Sequence, residues 1–153
     1  MGNAESSASP EEEPERGEYR VRCHCGSISA RFQCDKKHVV AWNCSCSDCY
    51  MRQNIHIIVP ETHFRLDMSQ HKFNAATTDY KWGTGTAKRR FCSKCGVLPW
   101  YRPRSNPDGY GVKLHCVDWG QGEKPEVEIR NFDGQNWESS YNATGISALS
   151  KAP

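Results

Sequence analysis

Apolar and polar residues alternate along much of the chain after position 18. Tyr19, Val21 and Cys23 are separated by Arg20 and Arg22, and Ile28, Ala30 and Phe32 by Ser29 and Arg31. A period of two puts one set on each face of an extended strand, so both segments predict half-buried β-strands. Further short strands are expected at Val39 to Trp42, Ile55 to Val59, Thr78 to Trp82, Lys88 to Phe91, Tyr110 to His115 and Val127 to Phe132. Turn-forming clusters such as Ser105-Asn106-Pro107-Asp108-Gly109 separate several of them. Helical turns are expected only around Asp48 to Gln53 and after Asn136. The pattern describes an all-β domain of small sheets over residues 19–141. A Glu-, Ser- and Pro-rich segment, residues 1–18, reads as a disordered acidic tail, and residues 142–153 as a C-terminal tail.

Composition changes this picture in one respect. Ile, Leu, Val and Phe together make only 23 of the 153 residues, and just four are Leu. So small an aliphatic content does not by itself build a stable core. The chain compensates with nine Cys, five Trp and six Tyr. No apolar run exceeds the four residues Val39 to Trp42, far short of the ~20 that a transmembrane helix needs. The first twenty residues are polar and acidic, unlike a secretory signal, and the expected address is cytoplasmic or nuclear, where thiols stay reduced.

Charge is unevenly placed. The tail carries −5 and residues 19–153 carry +7, for the formal total of +2. No Lys/Arg block exceeds Lys88-Arg89-Arg90, so charge alone is weak support for a nucleic-acid partner. The start Met1-Gly2-Asn3-Ala4-Glu5-Ser6 fits an N-myristoylation pattern at Gly2, and one such chain gives weak membrane contact.

The cysteines carry the chemistry. Their spacing is tight: Cys23-x-Cys25, Cys44-x-Cys46-x-x-Cys49 and Cys92-x-x-Cys95, with Cys34 and Cys116 apart. Such pairs in a chain without a secretory signal point to metal rather than to disulfides. Cys23 and Cys25, two apart on a strand, face the same way, and Cys92-Ser93-Lys94-Cys95-Gly96 makes a tight turn. Together they supply four thiolates, a closed structural zinc site. The alternative is that these are merely buried small apolar residues. Cys44, Cys46 and Cys49 supply three, leaving a fourth position free as in a catalytic zinc site. A distant fourth ligand from Cys34, Cys116, His56 or His115 would close that site instead.

With Cys23-His24-Cys25-Gly26, Asn43-Cys44-Ser45-Cys46-Ser47-Asp48-Cys49, Phe91-Cys92-Ser93-Lys94-Cys95-Gly96-Val97, Tyr101-Arg102-Pro103-Arg104 and Phe132-Asp133-Gly134, the chain resembles the glutathione-dependent formaldehyde-activating enzymes. The likeness runs from about Tyr19 to Trp137 and leans to the eukaryotic branch that includes centromere protein V. The resemblance implies a β-tent of small antiparallel sheets, a structural zinc on Cys23, Cys25, Cys92 and Cys95, and a catalytic zinc on Cys44, Cys46 and Cys49. It also implies a carbon-sulfur lyase-type reaction adding the glutathione thiol to formaldehyde. The named branch implies instead a zinc-stabilised interaction module with microtubules or chromatin as partner, a cytoskeletal association.

Other residues have plainer alternatives. Arg102 and Arg104 could hold the carboxylates of a tripeptide thiol, or be solvated loop residues. His56, flanked by Ile55 and Ile57, could donate to a zinc thiolate or simply pack. Cys34 and Cys116 read as core residues, and Trp82, Trp100, Trp119 and Trp137 as core aromatics of which some could wall a pocket.

Overall fold

A computed structural model describes residues 13–151, so Gly2 and most of the acidic tail lie outside the described residues. Eleven strands carry the fold. β1 (Arg16–Arg22), β2 (Ser29–Asp35), β5 (Phe64–Leu66) and β10 (Val117–Asp118) form a four-stranded sheet in the order β10-β1-β2-β5. The larger sheet has the order β11-β3-β4-β9-β8, from β3 (His38–Cys44), β4 (Ile55–Pro60), β8 (Trp100–Tyr101), β9 (Gly109–Lys113) and β11 (Glu126–Phe132). A third, two-stranded piece pairs β6 (Thr77–Tyr80) with β7 (Arg89–Cys92). Pairing is antiparallel throughout except between β3 and β11, which run parallel. Parallel neighbours need a crossover, and here it is the whole stretch of chain between Cys44 and Glu126.

The alternation behaves as expected where it is cleanest. Val21, Ala30 and Phe32 point from the four-stranded sheet into the main core, which Ala41, Ile57, Val59, Val112 and Trp100 complete from the larger sheet. From His56 to Val59 every residue is buried, because β4 is covered on both faces. Ile57 and Val59 face the main core, while Ile58 joins Trp42, Phe132 and Ile146 in a smaller one. Apolar burial of such side chains contributes roughly 1.5–3 kcal/mol each. The strand expected at Tyr110 to His115 stops at Lys113, and Leu114–Cys116 forms a 3₁₀ turn.

Both ends of the domain extend past the sequence boundaries. β1 begins at Arg16, three residues before Tyr19, pairing Gly17 with Cys34. At the other end residue 141 falls within α3 (Trp137–Thr144). Beyond it, Ile146 and Ser150 are buried, and Asn106, fully buried itself, donates from Nδ2 to the Ile146 carbonyl and the Ser150 hydroxyl, both at 2.9 Å. Helix α1 (Ser47–Arg52) matches the expected turn at Asp48, whereas α2 (Gln70–Ala76) was not foreseen. Ser69 caps α2 by accepting from the Lys72 amide, and its one buried residue, Phe73, stacks on Trp100.

Candidate metal centres and the pocket at one of them

Two groups of cysteines have their sulfurs within 4.8 Å of one another: Cys23, Cys25, Cys92 and Cys95, and separately Cys44, Cys46 and Cys49. All seven are free thiols. An all-sulfur donor set of this size suits a soft or borderline ion such as zinc, so the residues fit the implied metal.

The four-cysteine group is made by two similar turns. β1 ends at Arg22, so Cys23 and Cys25 converge through a turn rather than by strand alternation, which corrects the expected local geometry. The Gly26 amide closes that turn onto the Cys23 carbonyl at 3.2 Å, and the Gly96 amide closes its counterpart onto Cys92 at 2.8 Å. Both glycines have positive φ, 78° and 76°, a conformation that L side chains rarely adopt. The Cys25 sulfur then lies 3.6 Å from those of Cys23 and Cys92. Burial pushes the Cys23 thiol up to about 11, while a hydrogen bond from Ser27 lowers Cys25 to about 6.

The three-cysteine group sits where β3 runs into α1. Cys44 ends the strand, Cys46 caps the helix by accepting the Cys49 amide at 3.4 Å, and Cys49 is buried within its first turn. The end of β11 clamps this loop: the Ser45 amide donates to the Phe132 carbonyl, and the Gly134 amide to the Ser45 hydroxyl. A Cβ at Gly134 would lie 2.6 Å from the Cys46 backbone nitrogen and 2.7 Å from the Cys44 sulfur, so only glycine fits. Hydrogen bonds from Cys44 and Cys49 draw the Cys46 thiol far below its ordinary range, and the same contacts hold the Cys44 and Cys49 protons on.

Polar groups surround this second cluster in a set order. Asn54, buried, directs Nδ2 at the Cys49 sulfur from 3.8 Å. The Tyr101 hydroxyl is 4.0 Å from that sulfur and 3.3 Å from His56 Nε2. His56 Nδ1 lies 3.1 Å from the Asn54 carbonyl, which can only accept, so Nδ1 carries the proton and Nε2 accepts from Tyr101. Burial lowers the His56 pKa to about 4, consistent with this neutral tautomer. His56 therefore orients Tyr101 and gives nothing directly to a sulfur. Cys34, Cys116 and His115 do not join the cluster either, and none of the four supplies a fourth ligand.

Also on α1, Asp48 accepts from Arg52 Nε and from Arg89 Nε, both at 2.8 Å. Asp48 and Arg89 are almost wholly buried, and the Arg89 guanidinium packs over the rings of Trp82 and Tyr101. Neither Asp48 nor Arg89 stood out in the sequence. They lie 41 residues apart, and only the tertiary fold brings them together.

A cavity of about 210 Å³ opens on the three-cysteine group. Trp82, Phe132, Trp137 and Ile146 supply apolar wall, so two of the four singled-out tryptophans wall the pocket, while Trp100 is core and Trp119 packs edge-on to Tyr19. None of the four cysteines of the other group lines it. Arg104 stands at its rim, 3.7 Å over the Trp137 ring and paired with Glu138 at 3.3 Å. Arg102 does not reach it. That side chain turns the other way, to Glu61, the Pro107 carbonyl and the Tyr110 hydroxyl, and secures the loop before β9, which removes it from the candidate ligand contacts.

The fold and its sulfur clusters thus define a β-sheet protein with two cysteine centres, one of them facing a pocket. Residues 18–133 match the family of glutathione-dependent formaldehyde-activating enzymes, and the chain belongs to that family. A solved structure of a Rhodobacter sphaeroides protein is similar at 28% identity and a TM-score of 0.53, over 71% of this chain and 99% of that one.

Proposed function

We propose that this chain is a zinc-dependent carbon-sulfur lyase-type enzyme that adds a glutathione-like thiol to formaldehyde, giving the S-hydroxymethyl adduct. The observation that carries the reading is the difference between the two cysteine groups: the three-sulfur group lines the pocket and the four-sulfur group does not. Cys23, Cys25, Cys92 and Cys95 would hold a structural zinc, and Cys44, Cys46 and Cys49 a catalytic one. When bound there, the ion supplies a Lewis-acid position that takes an incoming thiol as its thiolate.

The chain's own residues do the rest. Asn54 donates to the Cys49 sulfur and helps it carry negative charge. Tyr101, fixed by His56, shapes the floor beside Cys49. Trp82 and Trp137 exclude water from the space above the sulfurs. At the rim, Arg104 would exchange its exposed partner Glu138 for a carboxylate of the thiol. The test is NMR exchange spectroscopy between free and hydroxymethylated glutathione at pH 6, where free thiolate is scarce. Acceleration by the wild-type protein but not by Cys46→Ser is expected. Equal rates for wild type, variant and buffer would overturn the assignment.

One observation favours a second reading, an interaction module with microtubules as partner: Tyr50 and Met51 on α1 are 69% and 82% exposed. Co-sedimentation at low salt that a Tyr50→Ser, Met51→Ser variant abolishes would support it.

A further inference from the structure

The pocket contains a cation that the reading above leaves without a task. Arg89 is 94% buried, being 6% exposed, yet it lines the pocket. Its Nε is spent on Asp48, and its ring contacts with Trp82 and Tyr101 hold the guanidinium plane in place. Among the described residues, no hydrogen bond is made to either of its terminal nitrogens. A guanidinium has five N–H donors, so four remain for a ligand. Asp48 does not neutralise it alone, because the same carboxylate also serves Arg52; the three groups together carry +1.

We infer that Arg89 is a catalytic residue of this pocket, receiving on its terminal nitrogens the oxyanion that forms when the thiolate adds to the aldehyde. The inference rests on the proposed reaction. In the forward step a sulfur lone pair forms the new C–S bond and the carbonyl π pair moves onto oxygen. That oxygen, now an alkoxide, takes a proton from water to replace the one the thiol released to solvent, so thiol plus aldehyde equals the hydroxymethyl adduct. Negative charge therefore leaves sulfur and appears on an oxygen two bonds away. A donor that helps must lie at the floor beside the sulfurs and must be in position beforehand.

Arg89 meets both conditions, and neither Tyr101 nor Arg104 does. Its anchor Asp48 lies on α1 between Cys46 and Cys49, and its guanidinium covers the Tyr101 ring whose hydroxyl approaches Cys49. The Tyr101 hydroxyl donates to His56 and is not free. Arg104 is a third exposed at the rim, where it suits a carboxylate several bonds from the thiol sulfur. Water-poor walls strengthen the interaction of a fixed cation with a new anion.

The test uses the zinc-loaded full chain with Arg89→Lys, which keeps charge and the Asp48 partner but loses the fork, and Arg89→Met, with circular dichroism to verify folding. Three quantities are read: the exchange rate with formaldehyde at saturating glutathione, the Kd of glutathione alone, and the Kd of formate as a small oxyanion probe. The expected result is a rate reduced about 100-fold in Arg89→Lys, in the range for loss of one oxyanion donor. Glutathione affinity should stay within twofold, and formate binding should weaken at least tenfold. A raised glutathione Kd with an unchanged rate would overturn the inference and give Arg89 to a carboxylate of the thiol. Rate and formate affinity both unchanged in folded variants would also overturn it. If the wild type shows no acceleration, the formaldehyde reading falls by itself, and formate binding that survives Arg89→Met then overturns the anion-receiving role as well.

Discussion

The two cysteine clusters differ in what surrounds equally good ligands. At the four-sulfur group, two turns far apart in the chain, after β1 and after β7, meet at the edge of the main core, with Cys23 and Cys92 buried in it. At the three-sulfur group, the thiols come from the one stretch Cys44 to Cys49, and the neighbours come from four other segments: the side chains of Asn54 and His56, of Arg89 and of Tyr101, and the backbone at Gly134. The first arrangement joins distant parts of the chain, so a metal bound there would substitute for the missing aliphatic core. The second is already positioned by strand β3, helix α1 and the end of β11, so a metal bound there would be less needed for folding and more available for a ligand.

The largest expected effect tests that division directly. Cys95→Ser should leave the chain unfolded or molten, since binding energy at a structural zinc is folding energy on the order of 10 kcal/mol. Cys46→Ser should keep a cooperative melt and native near-UV circular dichroism while losing one of two bound metal equivalents. Equal collapse of both variants would show that the clusters share the structural task.

The same contrast explains what was legible in the sequence. Spacing picked out all seven clustered cysteines, because a turn or a helix start brings residues two or three apart together whatever the rest of the fold does. Alternation revealed β1 and β2 for a similarly local reason. The surroundings of the pocket were hidden because they are long-range: Asp48 meets Arg89 across 41 positions, and Tyr101 meets His56 across 45. Helix α2 was missed because Phe73 alone anchors it, and the parallel partner of β3 because register between β3 and β11 has no local signal. Arg102 and Arg104 look alike in sequence, yet only Arg104 faces the pocket.

A second, smaller effect concerns acid. His56 is neutral and buried, with its pKa lowered from 6.5 to about 4. Between those values the unfolded chain binds the extra proton and the native chain does not, so stability is full above pH 6.5 and falls as pH drops toward 4. The loss attributable to this one group is about 3 kcal/mol, from 1.36 kcal/mol per pKa unit. Metal release in acid affects any variant, so the informative quantity is a difference. The stability of wild type minus that of His56→Gln, measured by urea unfolding, should shrink by about that amount from pH 7 to pH 4. A constant difference would mean that His56 titrates normally and that the Tyr101 contact does not depend on a neutral ring.

The smallest effect separates the rim of the pocket from its floor. Arg104 is already paired with Glu138 and stacked on Trp137, so a ligand carboxylate replaces one partially hydrated ion pair with another. Such exchanges at exposed sites are worth roughly 1 kcal/mol or less. Arg104→Ala should therefore weaken glutathione binding about fivefold. A thiol without carboxylates, 2-mercaptoethanol, should bind both proteins equally, because it reaches the sulfurs without touching the rim. Calorimetric titration of the two thiols into wild type and variant reads the prediction as a ratio of ratios. An equal loss for both thiols would mean that Arg104 supports the pocket wall through Trp137 rather than meeting the ligand, and no loss for either would leave the carboxylates of the thiol in solvent.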